Sequence, residues 1–143
     1  MNRLAEILEA KGRDVLTIDA DASVFQAVER MVEMNVGSLL VTEGGEITGI
    51  VTERDYLRRV TLEGRTDRET PVREIMSSPL IVVTPETTVE ECMALMTDRR
   101  VRHLPVVEEG EVVGLVSIGD VVKFTSERQA FEIQYLTDYI TAR

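Results

Sequence analysis

The sequence repeats itself at a fixed spacing, and this repeat limits the possible folds more than any other feature. The stretch GIVTERD at residues 49–55 returns as GLVSIGD at residues 114–120, which is 65 positions later. At that offset, without a gap, eleven residues of the first copy are identical in the second: Val24, Met31, Val36, Leu39, Val41, Glu43, Gly45, Glu46, Gly49, Val51 and Asp55. Self-similarity at a fixed period indicates a repeated supersecondary unit. We therefore predict two equivalent units.

A helix is predicted in the first half of each copy. Apolar residues follow at positions i, i+3, i+4 and i+7 from Val24, and again from Val89, so each helix has one stripe that faces a core. Ser23 and Thr88 each precede a Gln or Glu by three residues, which is the capping-box pattern of a helix start. The two copies therefore begin their helices at equivalent residues.

Strands are predicted before and after each of these helices. A short apolar strand comes first, and two β-branched runs separated by EGGE or EEGE follow as a hairpin. The predicted strands are 15–18, 38–42 and 47–51 in the first copy, and 80–83, 103–107 and 112–116 in the second. A second helix begins at each repeated turn, so the unit is β-α-β-β-α and the fold class is α/β (α+β). One copy is too small to be stable alone, so we expect the two to pack sheet to sheet with pseudo-twofold symmetry.

The repeat also divides the chain. We assign residues 1–63 to the first motif, which includes a lead-in helix that ends at Gly12. Residues 64–79 form a linker with a short helix from Pro71, and residues 80–143 form the second motif with an extended C-terminal helix.

Composition excludes several classes of function. The formal net charge of −10 disfavours binding to nucleic acid and to anionic membranes, which normally requires a basic face. No apolar run approaches the roughly 20 residues that span a bilayer. The single Cys92 and the single His103 cannot form an internal disulfide or a zinc ligand set, so we predict no metal. We expect a soluble intracellular protein in the cytoplasm.

The repeated turn itself has two interpretations. Thr52 and Ser117 lie where an N-cap hydroxyl belongs, and Asp55 and Asp120 follow three residues later, where a carboxylate favours the positive end of the helix dipole. This pattern is common as a simple capping box. The same geometry places a carboxylate beside a helix N-terminus, which suits the vicinal hydroxyls of a ribose and a nearby phosphate.

Longer motifs around these turns resemble the cystathionine β-synthase (CBS) domain, here as a tandem pair or Bateman module. They are IDADASVFQAVERMVEMNVGSLLV, VTPETTVEECMALMTDRRVRHLPVV, both glycine-to-aspartate turns, and PVREIMSSP before the second copy. The resemblance covers nearly the whole chain and implies a stand-alone CBS-pair protein. It also implies a regulatory, energy-sensing module that binds an adenine nucleotide, with AMP most favoured and ATP, ADP, NAD(H) or S-adenosylmethionine as the other ligands.

The resemblance implies a role for each matching residue. Asp55 and Asp120 would hold the ribose hydroxyls, and Thr52 and Ser117 would contact the ribose or phosphate. Thr17 and Thr84 would line the base side, and apolar residues including Val36 and Val101 would sandwich the base, with the ligands between the two units. The implied nucleotide-binding residues are completed by Gly37, Ser38, Leu39, Arg54, Arg102, His103, Leu104, Pro105, Ile118 and Gly119.

The two copies differ in their cations. The second has a basic run that ends in Arg102 and His103, matching phosphate-facing residues of the family, whereas the first has Gly37 and Ser38 there. The first copy instead has Arg54 within its turn. We therefore expect the two turns to bind ligand unequally.

The C-terminal helix carries most of the aromatic residues. Phe124, Phe131, Tyr135 and Tyr139 recur at roughly helical spacing, so they must be buried against another surface. Packing on the N-terminal helix is one solution. Contact in a homodimer, which the resemblance favours, is the other.

Three functions remain open at this stage. The first is the nucleotide-sensing module, which would modulate a partner enzyme or transporter. The alternative is a structural dimerisation or interaction module with degenerate ligand sites. An enzyme is the weakest of the three, since the chain has no nucleophile and base pair, metal set or P-loop.

Overall fold

The computed structural model describes the backbone of residues 2–141 and the side chains of residues 2–137. The chain forms two compact units. One contains Asp14–Ile81, and the other combines the first 13 residues with those from Val82 onward. Helix α1 (Leu4–Lys11) thus lies with the second sequence copy, so the compact units do not coincide with the repeat boundaries.

The unit of Asp14–Ile81 contains a mixed three-stranded sheet. Its elements are β1 (Thr17–Asp19), α2 (Val24–Met34), β2 (Ser38–Glu43), β3 (Glu46–Thr52), α3 (Glu53–Tyr56), a π-helical turn (Leu57–Thr61) and a 3-10 turn (Val72–Glu74). The strand order is β1-β2-β3, with β1 parallel and β3 antiparallel to β2. The capping box of Ser23 and Gln26 begins α2 as predicted, whereas the helix expected from Pro71 is reduced to the 3-10 turn.

One face of this sheet forms the core of the unit. Alternate residues of β2 and β3 point to the same side, where the apolar stripe of α2 covers them. The buried cluster consists of Ala20, Val24, Ala27, Met31, Leu39, Val41, Val51, Val60, Val72 and Ile75. The predicted stripe is therefore the buried face of α2.

The second unit contains a two-stranded sheet. Its elements are α1, α4 (Val89–Arg99), β4 (His103–Glu108), β5 (Glu111–Ser117) and α5 (Ile118–Thr141). The capping box of Thr88 and Glu91 begins α4, and the two strands form the predicted antiparallel hairpin.

The strand predicted at 80–83 is not formed, and only Val83 pairs with Val106 as an isolated parallel bridge. Proline explains the difference. In the first copy the N–H of Leu40 donates to the carbonyl of Leu16, at 3.0 Å. The equivalent residue of the second copy is Pro105, which has no N–H to donate. The ladder therefore stops after one pair.

The repeated glycines mark two places where another segment crosses the sheet. A Cβ on Gly114 would lie 2.6 Å from Cδ2 of Leu8 in α1. A Cβ on Gly49 would lie 2.7 Å from Sδ of Met76 and 3.0 Å from the carbonyl oxygen of Ser77. The two copies thus need glycine for the same steric reason, with a different neighbour in each.

Candidate ligand-binding corners

Both repeated turns form the same closed capping box. The N–H of Asp55 donates to Thr52 Oγ1 at 3.2 Å, and the N–H of Thr52 donates to Asp55 Oδ2 at 3.0 Å. In the second copy, the N–H of Asp120 donates to Ser117 Oγ at 3.1 Å and the N–H of Ser117 to Asp120 Oδ2 at 2.8 Å. The capping role of both carboxylates is therefore confirmed.

The start of the neighbouring strand lies beside each capped turn. The N–H of Glu53 donates to the carbonyl of Gly37 at 3.1 Å, and Ser38 pairs with Thr52. We call Gly37, Ser38, Thr52, Glu53 and Asp55 together the Asp55 corner.

The second copy repeats the arrangement with other residues. The N–H of Ile118 donates to the carbonyl of Arg102 at 2.8 Å, and His103 pairs with Ser117. With Ser117 and Asp120 these residues form the Asp120 corner. Each corner thus combines a helix N-terminus, a hydroxyl, a carboxylate and a strand start.

Several other candidate residues lie near the corners, but not all of their side chains are accessible. Leu39 and Leu104 are buried, and the Leu39 side chain belongs to the core cluster, so only their backbones can contact a ligand. Ser38 and Pro105 are buried as well, whereas Val36 and Val101 are half-buried. The exposed Arg54 and Gly119 lie in the first turns of α3 and α5.

The two threonines expected at the base side are not equivalent. Thr17 of β1 pairs with Leu40 of β2. It therefore lies on the same sheet face as Ser38, which is two positions from Leu40 in β2. Val83 instead pairs with Val106, so Thr84, which follows it, lies at the end of β4 opposite to His103. At 3.3 Å per residue, Thr84 is roughly 13 Å from His103. Its N–H donates to Thr87 Oγ1 at 3.1 Å in the turn before α4. The structure therefore does not bring Thr84 to the Asp120 corner.

A lysine distinguishes the Asp120 corner from its counterpart. Lys11 Nζ, at the end of α1, lies 2.6 Å from Asp120 Oδ2 and 2.8 Å from the carbonyl oxygen of Leu115. Burial by itself raises the pKa of Asp120, but the hydrogen bonds from Lys11 and Ser117 and the lysine charge outweigh it and lower the pKa. Asp120 is therefore a paired carboxylate.

Asp55 has the opposite electrostatic balance. Burial raises its pKa, and the hydrogen bonds from Thr52 and Ser77 and the charge of Arg59 only partly oppose this effect. The charged form of Asp55 is thus less well stabilised than that of Asp120. A ligand that donates hydrogen bonds to this carboxylate would correct the deficit.

His103 is not a cation at neutral pH. Burial lowers its pKa, and the nearby Lys11 and Arg102 lower it further, against the opposing effect of Asp120. Its predicted role as a basic phosphate-facing residue therefore requires the neutral imidazole to act as a hydrogen-bond partner.

An apolar cleft of about 420 Å³ lies next to the Asp55 corner. It is lined by Val28, Met31, Val32, Asn35, Val36, Glu53, Tyr56 and Leu57. Only Val36 among these was a candidate ligand residue in the sequence. Val32 of α2 and Leu57 of the π-helical turn are exposed and lie outside the core cluster.

The C-terminal part of α5 is exposed. Phe124 is half-buried, but 69% of Phe131 and 64% of Tyr135 are accessible. The side chain of Tyr139 lies outside the described residues. The prediction that Phe131 and Tyr135 pack on the N-terminal helix α1 is therefore wrong.

Removing the carboxylate charge is expected to have opposite effects on stability in the two corners. Asn retains an acceptor for the capping N–H. Asp55 has a raised folded pKa, so its charge costs stability at neutral pH, and Asp55→Asn is expected to raise the free energy of unfolding at pH 7 by up to about 1 kcal/mol. Asp120 has a lowered folded pKa, so its contribution is present above the unfolded pKa and lost on acidification, and Asp120→Asn is expected to lower stability by a similar amount.

Urea unfolding between pH 7 and pH 3 measures both effects. The two variants should differ in sign at pH 7 and converge as both carboxylates become protonated in the wild-type protein. Equal destabilisation by both substitutions at pH 7 would contradict the electrostatic difference between the corners.

Two sequence copies, each with a capped helix, a β-hairpin and a second capped helix, define a tandem-repeat α+β module. The chain belongs to the CBS-domain family: the family model "CBS domain" matches residues 6–62 and 72–127, so the chain is a tandem CBS pair. It is 42% identical to the mitochondrial CBS domain-containing protein CBSX3 of Arabidopsis thaliana, over 96% of this chain and 71% of that protein. CBS pairs generally act as regulatory, ligand-sensing modules.

Solved structures show the same fold. A CBS-domain protein from Burkholderia ambifaria MC40-6 is 46% identical, with a TM-score of 0.85 over 87% of this chain and 93% of that chain. A hexameric CBS-CP12 protein from bloom-forming cyanobacteria is 34% identical, with a TM-score of 0.75 over 84% of this chain and 70% of that chain. In the part of this chain that the structure describes, none of the helices is long and apolar enough to cross a membrane.

Lys11 and Ser77 are the corner residues that the sequence did not reveal. Both are distant in the chain from the carboxylates they contact, and neither belongs to the repeated motif. The weak sequence signal for Lys11 was its position in the last turn of a helix. A cation there usually interacts only with the negative end of the helix dipole.

Proposed function

We propose that this CBS pair is a regulatory module that binds an adenine nucleotide, with AMP as the favoured ligand, and modulates a partner enzyme or transporter through the resulting conformational change. The observation that carries the proposal is the Asp55 corner. It combines a half-buried carboxylate, whose charge is poorly compensated, with a hydroxyl and a helix N-terminus.

Ribose is suited to this corner. A vicinal diol offers two donors to one carboxylate, and hydrogen bonds to a charged acceptor are stronger than those between neutral groups. The capping box already orients Asp55, so no rotamer freedom is lost when the diol binds. The adjacent half-buried Val36 and the face of Thr17 offer surface for the base.

Thermal unfolding with AMP, ADP, ATP, NADH and S-adenosylmethionine tests the proposal. A ligand present at a hundredfold excess over its Kd stabilises the folded state by about 2.7 kcal/mol, which raises Tm by roughly 5–10 °C in a chain of this size. Asp55→Asn should weaken AMP binding roughly tenfold, since one charge-assisted contact is lost. Dideoxy-AMP, which lacks both ribose hydroxyls, is the matched ligand control and should bind wild-type protein no better than AMP binds Asp55→Asn.

The proposal fails if none of these ligands changes Tm at millimolar concentration. If AMP and dideoxy-AMP stabilise equally, a nucleotide binds but the carboxylate does not recognise its ribose.

The exposed aromatic residues of α5 favour assembly as a second candidate function. Phe131 and Tyr135 are four residues apart on one helix face and are accessible within a single chain. We propose that this face pairs with a second copy in a homodimer. The hexameric cyanobacterial relative is an instance of assembly by a CBS-domain protein.

A further inference from the structure

We propose that Lys11 is an internal competitor for the Asp120 corner, so that the first nucleotide binds at the Asp55 corner and the second must displace the lysine. This inference rests on the proposed function and concerns which site is filled. The N-terminal helix would thereby determine the order of binding.

The contacts of Lys11 support this role. Its ammonium bridges the carboxylate of Asp120 and the carbonyl oxygen of Leu115, so it is anchored at two points. Asp120 Oδ2 also accepts the N–H of Ser117, which leaves this oxygen without a further acceptor position. A diol that approaches with Lys11 in place can use only Oδ1.

The Asp55 corner contains a weaker competitor. Oδ2 of Asp55 accepts the N–H of Thr52 and lies 3.1 Å from its hydroxyl. A hydroxyl can rotate and accept a hydrogen bond from the ligand instead, whereas an ammonium has no acceptor and must leave. Access to Asp55 thus requires rotation of the hydroxyl O–H bonds of Thr52 and Ser77, and access to Asp120 requires breaking a charge-assisted contact.

The pair is partly buried, which increases its effect. The side chains of Lys11 and Asp120 are 36% and 23% exposed. Solvent screens them less than a fully exposed pair, so separation of the charges has a measurable cost. Lys11→Met keeps the apolar stem of the side chain and removes only the competing charge.

A first experiment needs no nucleotide. Urea unfolding of Lys11→Met, Asp120→Asn and the double variant forms a double-mutant cycle. Lys11→Met should lower the unfolding midpoint in the wild-type background and lower it less when Asp120 is already Asn, because only the contact with the Leu115 carbonyl oxygen is then lost. Equal losses in both backgrounds would show that the two residues do not pair, which would overturn the inference while leaving the proposed function intact.

A second experiment measures AMP binding by titration calorimetry in the Asp55→Asn background, where binding at the Asp55 corner is weakened roughly tenfold and the Asp120 corner keeps its carboxylate. Adding Lys11→Met should tighten AMP binding roughly tenfold, because the competing charge-assisted contact is gone. Lys123→Met is the matched control: it removes the other lysine of the chain, which lies exposed on α5. It should leave AMP affinity as in Asp55→Asn alone.

Each result of the titration has a separate meaning. Weaker AMP binding after Lys11→Met would show that the lysine is a ligand contact, such as a phosphate partner, and would overturn the competitor role. Two equal AMP sites in wild-type protein would also overturn it, with the proposed function retained. Absence of AMP binding to wild-type protein and to every variant would refute the proposed function, and the competitor role with it.

Discussion

Leu8→Ala is expected to lower the free energy of unfolding by about 2–5 kcal/mol. Leu8 is 1% exposed, and the missing Cβ of Gly114 leaves the space that its methyl groups fill. Shortening the side chain removes apolar contacts and leaves a cavity between α1 and β5. Tm should fall by roughly 5–15 °C, and the loss should appear first as faster amide exchange in β5.

Two further variants make this prediction specific. Leu62→Ala is the matched control, because Leu62 is 81% exposed and should change stability by less than about 0.5 kcal/mol. Gly114→Ala should destabilise by about 1–3 kcal/mol through its contact with Leu8, and most of this cost should disappear in a Leu8→Ala background. Additive effects of Leu8→Ala and Gly114→Ala would contradict the packing of α1 on β5.

Truncation after Ser126 is expected to abolish the proposed homodimer and leave a folded monomer. The side chains of residues 127–137 are all exposed, so their removal opens no core. It does remove Phe131 and Tyr135, the accessible aromatic face proposed to pair with a second copy. Light scattering after size-exclusion chromatography measures the change in mass, and thermal unfolding checks that the fold persists.

A full-length variant separates the aromatic contacts from helix length. Phe131→Gln with Tyr135→Gln keeps the helix and should also yield a monomer. Ile133→Gln is the matched control, because Ile133 is equally exposed but lies on another side of the helix, and it should remain dimeric. A monomeric wild-type protein, or a dimer that survives truncation, would refute the role of α5 in assembly.

Local interactions explain why much of this structure was predictable. The capping boxes at Ser23 and Thr88, both hairpins and the end of α1 at Gly12 depend on residues within a few positions of one another. The same holds for the capped turns at Asp55 and Asp120, because N-cap and N3 belong to one helical turn. The offset of the repeat then transfers each local prediction from one copy to the other.

The repeat predicted that the two copies would be structurally equivalent, and at two places they are not. The strand expected at 80–83 is limited to one pair by the missing N–H of Pro105, although the apolar pattern is intact. Thr84 was grouped with Thr17, but pairing of Val83 with Val106 sets it at the far end of β4. Periodicity records which residues are apolar and does not record whether each backbone donor is present.

The sequence by itself determined the repeated unit, the beginnings of its helices and the positions of both carboxylates, because short-range hydrogen bonds and apolar spacing specify them. Only the tertiary structure decided that α1 packs with the second copy and that Lys11 pairs with Asp120, whose pKa is lowered, whereas burial leaves the pKa of Asp55 raised. The physical reason is that an apolar helix face can be buried on any complementary surface. A carboxylate's charge balance depends on whichever groups that burial brings within hydrogen-bond distance.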